Sequence, residues 1–482
     1  MLKLILLLSV IQVICCLKIL IVYPTPSPSH NILGHGYVKH LLEAGHEITY
    51  LTSKLYSEPH PKLRQIDITS NYRVSGSNET LRWVYLVQNQ TLFNTNVQKL
   101  INDESEQFDI IIAEWFYYDL FAGLAAVFNC PYIWSSTLDP HWSILRMVDE
   151  STNPAYTVDI ASLGIPPLNL KERLNELWLQ IRMTYYQLAF GPAVTRRGRV
   201  LPPLNEMRYN ASLVLSNSYQ PLSSSIRLPA NFKEIGGYHI DAHQTPLPEN
   251  LKKIMDEAKH GVIYFSLGSN VKSKDMPEEM KRDLLKMFGE LKQVVLWKFE
   301  EELKGLPENV HILKWAPQPS ILAHPNLLVF ASHGGLLSLT EAIHYGVPVV
   351  GIPVFADQFL NVNKAVKIGF AIKVTLAVDM ATPLKNAHRK IKINKNKCFT
   401  AKRLSSIYHD RLVSPGAELV HWVEHVVRTG GALHLRSPAL MVPWYHKIYL
   451  DLIVIIIAAA FIIKEVIKRV FVSESNKKIK TN

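Results

Sequence analysis

The sequence predicts an α/β protein of two doubly wound domains with parallel sheets. Three observations lead there. The chain has 482 residues, more than one ordinary core accommodates. Its apolar runs are short and unbroken, as strands buried on both faces require. Those runs alternate with helical stretches that end at glycine, once near the start and again in the C-terminal half. Hydrophobic residues make up 48% and aromatic residues 10%, which excludes a disordered chain.

Taken in order, residues 1–16 read as a cleaved signal peptide. Lys3 supplies a short basic start, and residues 4–14 an apolar core too short to span a bilayer. Lys18–Tyr23 is a parallel-type strand, residues 24–28 a loop, residues 31–44 a helix ended by Gly45, and residues 47–51 the next strand. This β-α-β opening puts His30 between the first strand and its helix, at the mouth of the sheet where such folds place ligands. His35, His40 and His46 read as structural or solvated. Residues 56–95 read as irregular. They carry the sequons Asn78-Glu79-Thr80 and Asn89-Gln90-Thr91, and Asn210-Ala211-Ser212 is a third. Residues 108–113 form a buried strand followed by Glu114, with Asp119 one turn further on. Residues 170–190 are amphipathic and rich in aromatics. Residues 214–217 and 234–238 close a first domain, 17–240, and residues 239–250, with Pro246 and Pro248, link it to a second, 241–430.

The second domain opens with a strand from Gly261 into a Ser/Gly turn at Ser269. A helix at 278–291 and strands at 294–299 and 311–314 follow, the last leading to Trp315 and Gln318. Residues 327–330 are another strand. Ser332-His333-Gly334-Gly335 then turns the chain into a helix, Leu336–His344. The free N–H groups and dipole at that helix start make an anion site, and the glycines admit a ligand without Cβ interference. Gly346 ends the helix, residues 347–354 form a buried strand, and Ala356-Asp357-Gln358 follows its carboxyl end. Residues 370–402 are basic and uneven, and residues 401–408 and 415–429 read as helices.

Residues 448–464 read as a transmembrane helix after a juxtamembrane segment, 431–447. Trp444, Tyr445 and Tyr449 precede the apolar run, and Lys464, Lys468, Arg469, Lys477, Lys478 and Lys480 follow, in positive-inside order. An amphipathic helix lying in the membrane interface is the alternative. Residues 465–482 form a basic tail. The net charge of +11 comes without any nucleic-acid motif, so a small anionic substrate accounts for it better. Of four cysteines, Cys15 and Cys16 lie in the leader, and a Cys130–Cys398 bridge would join different domains. No zinc-type spacing and no Asp-x-Asp occur, so no metal site is expected.

The stretch from Ser332 to Gln358 strongly resembles the signature of the UDP-glycosyltransferases, membrane-bound and invertebrate-like. The matching residues are Ser332, His333, Gly334, Gly335, Ser338, Glu341, Pro348, Pro353, Asp357 and Gln358, with Trp315-Ala316-Pro317-Gln318 upstream. The resemblance implies a GT-B architecture, two Rossmann-like domains facing a cleft. It implies that Ser269, His333, Gly334, Gly335 and Ser338 take the diphosphate of a UDP-sugar. Trp315 would stack on uracil, Gln318 and Glu341 would bind the ribose, and Asp357 and Gln358 the sugar. Leu337 stands where many relatives carry Asn. Ser29-His30, sixteen residues before Gly45-His46-Glu47 as in the family, implies His30 as general base. Glu114 or Asp119 would orient it. The implied reaction is inverting transfer of a hexose, glucose by preference, to a small lipophilic acceptor. UDP-sugar is a co-substrate, and no cofactor is expected. The implied place is the endoplasmic reticulum membrane, single-pass, with the catalytic domains luminal. A non-catalytic UDP-sugar-binding partner and a UDP-sugar epimerase are the alternatives. Self-association or pairing with another chain stays open.

Overall fold

The computed structural model describes residues 16–74, 80–149, 152–162, 164–189, 202–223, 226–241, 245–393 and 395–479. Residues 1–15 of the leader, Asn78 with its sequon's Glu79, and Phe190 lie outside them. The first domain is a seven-stranded sheet: β1 (Lys18–Tyr23), β2 (Glu47–Thr52), β3 (Leu63–Asp67), β4 (Ile110–Trp115), β5 (Tyr132–Ser136), β6 (Leu213–Ser216) and β7 (Phe232–Glu234), in the order β3-β2-β1-β4-β5-β6-β7. All its ladders are parallel, with Val22 opposite Leu51 on one side and Ala113 on the other. The second domain repeats the plan in six strands: β8 (Val262–Ser266), β9 (Val294–Lys298), β10 (Val310–Leu313), β11 (Leu327–Ser332), β12 (Val349–Gly351) and β13 (Ala371–Lys373), ordered β10-β9-β8-β11-β12-β13. In each sheet the order reverses beside the first strand, and the crevice at the carboxyl ends there is the ligand position of doubly wound folds. Apart from exposed Lys18 at the start of β1, the central strands β1, β4 and β8 are buried throughout, which explains their unbroken apolar runs.

Several boundaries differ from the sequence reading. The first helix is Pro28–Glu43, begun by Pro at its first position, so His30 lies in its first turn rather than in a loop. Residues 56–95 read as irregular, but their described residues hold β3, a 3-10 turn at Thr69–Arg73 and the helix Thr80–Phe93. The sequon at Asn89 falls on that helix. Its Thr91 is fully buried, donating to Val87 O and accepting from Asn71 Nδ2. Asn210 is exposed, and its Oδ1 accepts from Arg436. The linker runs into a helix, Glu249–Asp256. The uneven basic stretch forms the helices Ala381–Ile393 and Lys395–His409. Cys130 and Cys398 are unbridged and pack in separate clusters, one in each domain.

The domains are fastened together at several points. The Pro415–Arg428 helix returns from the second domain to the first. Its Leu419, Val423 and Val426 enter the cluster built on Leu41 and Ile112, and Gly416 lies so close to His40 that a Cβ would stand 2.3 Å from its ring. Lys364 of the second domain reaches Asp139, just past β5, at 2.7 Å, and both are buried. Asn270 Nδ2 donates to Ser27 Oγ across the cleft at 3.0 Å.

At the C-terminus, Leu450–Ile479 is one helix whose side chains at 452–463 are all exposed. Twelve residues at about 1.5 Å each cover roughly 18 Å, short of the ~30 Å hydrocarbon core. Asp451 and the pair Lys464-Glu465 bracket that run, and among the described residues no helix is long and apolar enough to cross a membrane.

The buried Lys364–Asp139 pair yields a prediction. Lys364→Met strands a buried carboxylate and should destabilise the chain by about 3–5 kcal/mol. Lys364→Met combined with Asp139→Leu should recover most of that loss in chemical denaturation.

Candidate active site

The carboxyl ends of both sheets open onto one cavity of about 980 Å³, lined by both domains. On the first-domain side, the Pro28–Glu43 helix holds His30 in its first turn. Glu114 comes from the end of β4, the strand next to β1, and is 1% exposed. His30 Nδ1 pairs with Glu114 Oε1, and Thr25 N donates to the other oxygen at 3.3 Å. Phe116 meets the imidazole edge-on, with centroids 5.0 Å apart. Because Nδ1 is tied to the carboxylate, Nε2 is the nitrogen left for a substrate in the cavity.

Asp119 does not join this pair. It is buried against Arg208, whose Nη2 donates to Oδ1 at 3.1 Å, and it does not line the cavity. Burial pushes its carboxyl up, with the guanidinium opposing. The sequence left Glu114 and Asp119 as alternatives; the chain brings only Glu114 to His30.

On the second-domain side, β11 delivers Ser332-His333-Gly334-Gly335 into the Leu336–His344 helix. The helix cap is Gly335, which has no side chain to satisfy the first amides. Gly334 has φ +83°, and a Cβ there would come within 2.2 Å of Val362. Its N–H donates to Ser332 Oγ at 3.2 Å, and it does not line the cavity, so the amides that face a ligand are those from Gly335 on. His333 packs between Gly268 and Gly335, where a Cβ on either would stand 2.5–2.6 Å from the ring. Burial, helped by the Lys298 ammonium, drops its pKa to about 4, so it is a neutral N–H donor at physiological pH.

Ser269 lines the cavity beside this turn, with Asn270. Lys298, at the end of β9, donates to Gly268 O at 2.9 Å and pairs with Glu300 at 2.8 Å. Its ammonium lies near enough to the turn to act on His333, and no motif in the sequence marks it. The sole described arginine on the cavity wall is Arg182, from the Leu170–Ala189 helix of the first domain.

The remaining candidates line the same cavity. Trp315 is 62% exposed and presents its ring to the cavity. Gln318 donates to Glu341 Oε2 at 2.7 Å and to Ser338 Oγ at 3.3 Å, and accepts from Tyr264 OH at 3.2 Å. Gln358 Oε1 accepts from the amides of Val354 and Phe355, which leaves its NH₂ for a ligand. Asp357 accepts from Asn361 at 2.6 Å, and burial raises its pKa to about 6. Ala356, just before it, and Tyr117, opposite, are non-glycine residues at φ +54° and +63° on the cavity wall, strained turns of the kind that collect at functional sites. Leu337 is partly buried and packs toward the first domain. The first-domain wall is apolar, with Leu81, Phe116, Leu138, Ile160, Met183 and Tyr186.

Comparison with known proteins agrees with this layout. The family model described as "UDP-glucoronosyl and UDP-glucosyl transferase" matches residues 174–481. UDP-glucosyltransferase 2 of Dactylopius coccus is 32% identical, aligned over 96% of each chain. UDP-glucuronosyltransferase 2B1 of Rattus norvegicus is 29% identical over 92% of each. Among solved structures, a UDP-glucosyltransferase from Polygonum tinctorium capable of glucosylating indoxyl superposes with a TM-score of 0.60 at 16% identity, covering 86% of this chain and 99% of that one. That likeness establishes the two-domain GT-B fold. With a family model spanning more than half the chain and a relative matching nearly all of it, this chain belongs to the UDP-glycosyltransferase family and is an enzyme that transfers sugar from a UDP-sugar.

Proposed function

We propose that the chain is an inverting UDP-glycosyltransferase that moves glucose to a hydroxyl of a small lipophilic acceptor, with His30 as base. The observation that carries this is the His30–Glu114 pair opening onto the same cavity as the Gly335-capped helix start on the facing domain. The apolar wall of the first domain holds the acceptor. His30 Nε2 takes the hydroxyl proton as the oxygen bonds to the anomeric carbon, and Glu114 stabilises the imidazolium. The bond from that carbon to the β-phosphate oxygen breaks in the same step, so the centre inverts. The departing UDP gains its charge against the amides after Gly335, the His333 N–H, Ser269 and Lys298.

Trp315 stacks on uracil, and Gln318 and Glu341 take the ribose. Asp357 and the Gln358 NH₂ hold sugar hydroxyls. An acidic sugar end, with Arg182 on the acceptor helix instead, favours an uncharged hexose over a glucuronate. The exposed apolar side chains at 452–463 support a place on the endoplasmic reticulum membrane with the catalytic domains on its luminal side.

Three outcomes check this reading. His30→Ala should lower kcat by about 10²–10⁴-fold in assays of UDP-glucose with phenol acceptors, and calorimetry should find UDP affinity unchanged. Asp357 has its folded-state pKa raised from 3.8 to about 6, so the fold favours the protonated form, and stability falls as pH rises through that window. Sugar hydroxyls donate to the ionised form. The ratio of UDP-glucose to UDP affinity should therefore grow as pH rises through about 6, and should be flat in Asp357→Asn. Removal of residues 450–482 should release the chain from microsomes into the soluble fraction.

A further inference from the structure

His239 lies on the segment that carries the chain from one domain to the other, and its neighbours fix that segment on both sides. Tyr238 is buried in the first domain against Tyr37, with ring centroids 4.9 Å apart. Gly236 O accepts from Tyr408 OH at 3.1 Å and from Arg411 Nη2 at 2.8 Å, both at the far end of the second domain's chain. Held this way, the His239 side chain is 2% exposed and lines the cavity beside Glu341.

Its Nε2 stands 3.5 Å from Glu341 Oε1, an ionic contact without hydrogen-bond geometry, and neither ring nitrogen has a hydrogen-bond partner among the described residues. A buried imidazole without a partner is uncommon and calls for a reason. Glu341 supplies one. Its Oε2 is fixed by Gln318, and among the described residues Oε1 has only His239 beside it. A carboxylate that accepts two hydroxyls of a vicinal diol must hold both oxygens in one plane toward the ligand. A donor from the linker side fixes the second oxygen as Gln318 fixes the first.

We infer that His239 is a positioning residue of the donor site, holding Glu341 for the two hydroxyls of the donor's ribose. This rests on the reading of Glu341 as the ribose acceptor. The imidazole donates through Nε2 to Oε1, and the gap of 3.5 Å shortens as the diol draws the carboxylate into line.

The test is calorimetric titration of the full chain with UDP and with 2′,3′-dideoxy-UDP, which lacks the diol. His239→Phe keeps the ring volume and removes the donors. It should weaken UDP binding about ten- to hundredfold, the loss of one hydrogen bond to a charged partner. The dideoxy analogue should bind the unsubstituted chain and the variant alike. His239→Gln restores an N–H and should recover most of the UDP affinity. Unchanged UDP affinity in His239→Phe overturns the inference. So does an equal loss for both nucleotides, which marks damaged packing, and so does a folded His239→Gln no better than His239→Ala. If His239→Phe does not fold, the Gln and Ala variants carry the comparison. Failure of the unsubstituted chain to bind UDP would instead overturn the donor-site reading beneath it.

Discussion

Two parallel sheets aim their carboxyl ends into one cleft, and everything at the site depends on their being held there. Neither sheet has a complete site alone. The first brings His30 and its carboxylate; the second brings the helix start, Lys298 and Asp357. What keeps them facing is a set of contacts that cross the boundary: the Pro415–Arg428 helix against the first domain's core, and Lys364 against Asp139. The buried ion pair is costly to desolvate but far costlier to break on one side, which makes it a strong constraint on relative position.

The two halves of the cavity are tuned in opposite ways. On one side, a carboxylate at a strand end fixes the tautomer of a histidine and readies it to accept a proton. On the other, burial keeps His333 neutral and lifts Asp357 toward the protonated form. A neutral histidine wedged between two glycines can donate to a phosphate without the rearrangement that a flexible lysine would need. Lys298 supplies the fixed charge from the neighbouring strand, held by Gly268 O and Glu300.

Much of this was legible in the sequence. The β-α-β opening, the Ser332–Gln358 stretch and the helix Leu336–His344 were read directly, because glycine and proline punctuate them and buried parallel strands are continuous apolar runs. The choice between Glu114 and Asp119 was not legible. It was settled by Arg208, a partner 89 residues away in sequence. The helix Thr80–Phe93 was missed, having weak amphipathicity and neither glycine nor proline at its ends. Pro28 was read as loop, yet it opened the helix and drew His30 into the first turn. Lys298 and His239 belong to no motif in the sequence. A lysine ending an apolar strand and a histidine before a proline-rich linker take on meaning once folding sets them beside Gly268 and Glu341. The apolar run near the C-terminus signalled a span, but its helix is charged at both edges of a stretch too short to cross.

In the proposed reaction a single displacement at the anomeric carbon is driven by a base on one domain and a leaving-group site on the other. The most direct test is the anomeric configuration of the product, read from the proton coupling of the anomeric hydrogen by NMR after turnover of UDP-α-glucose. A β-glucoside is the predicted result. An α-glucoside would contradict the single displacement and the role given to His30.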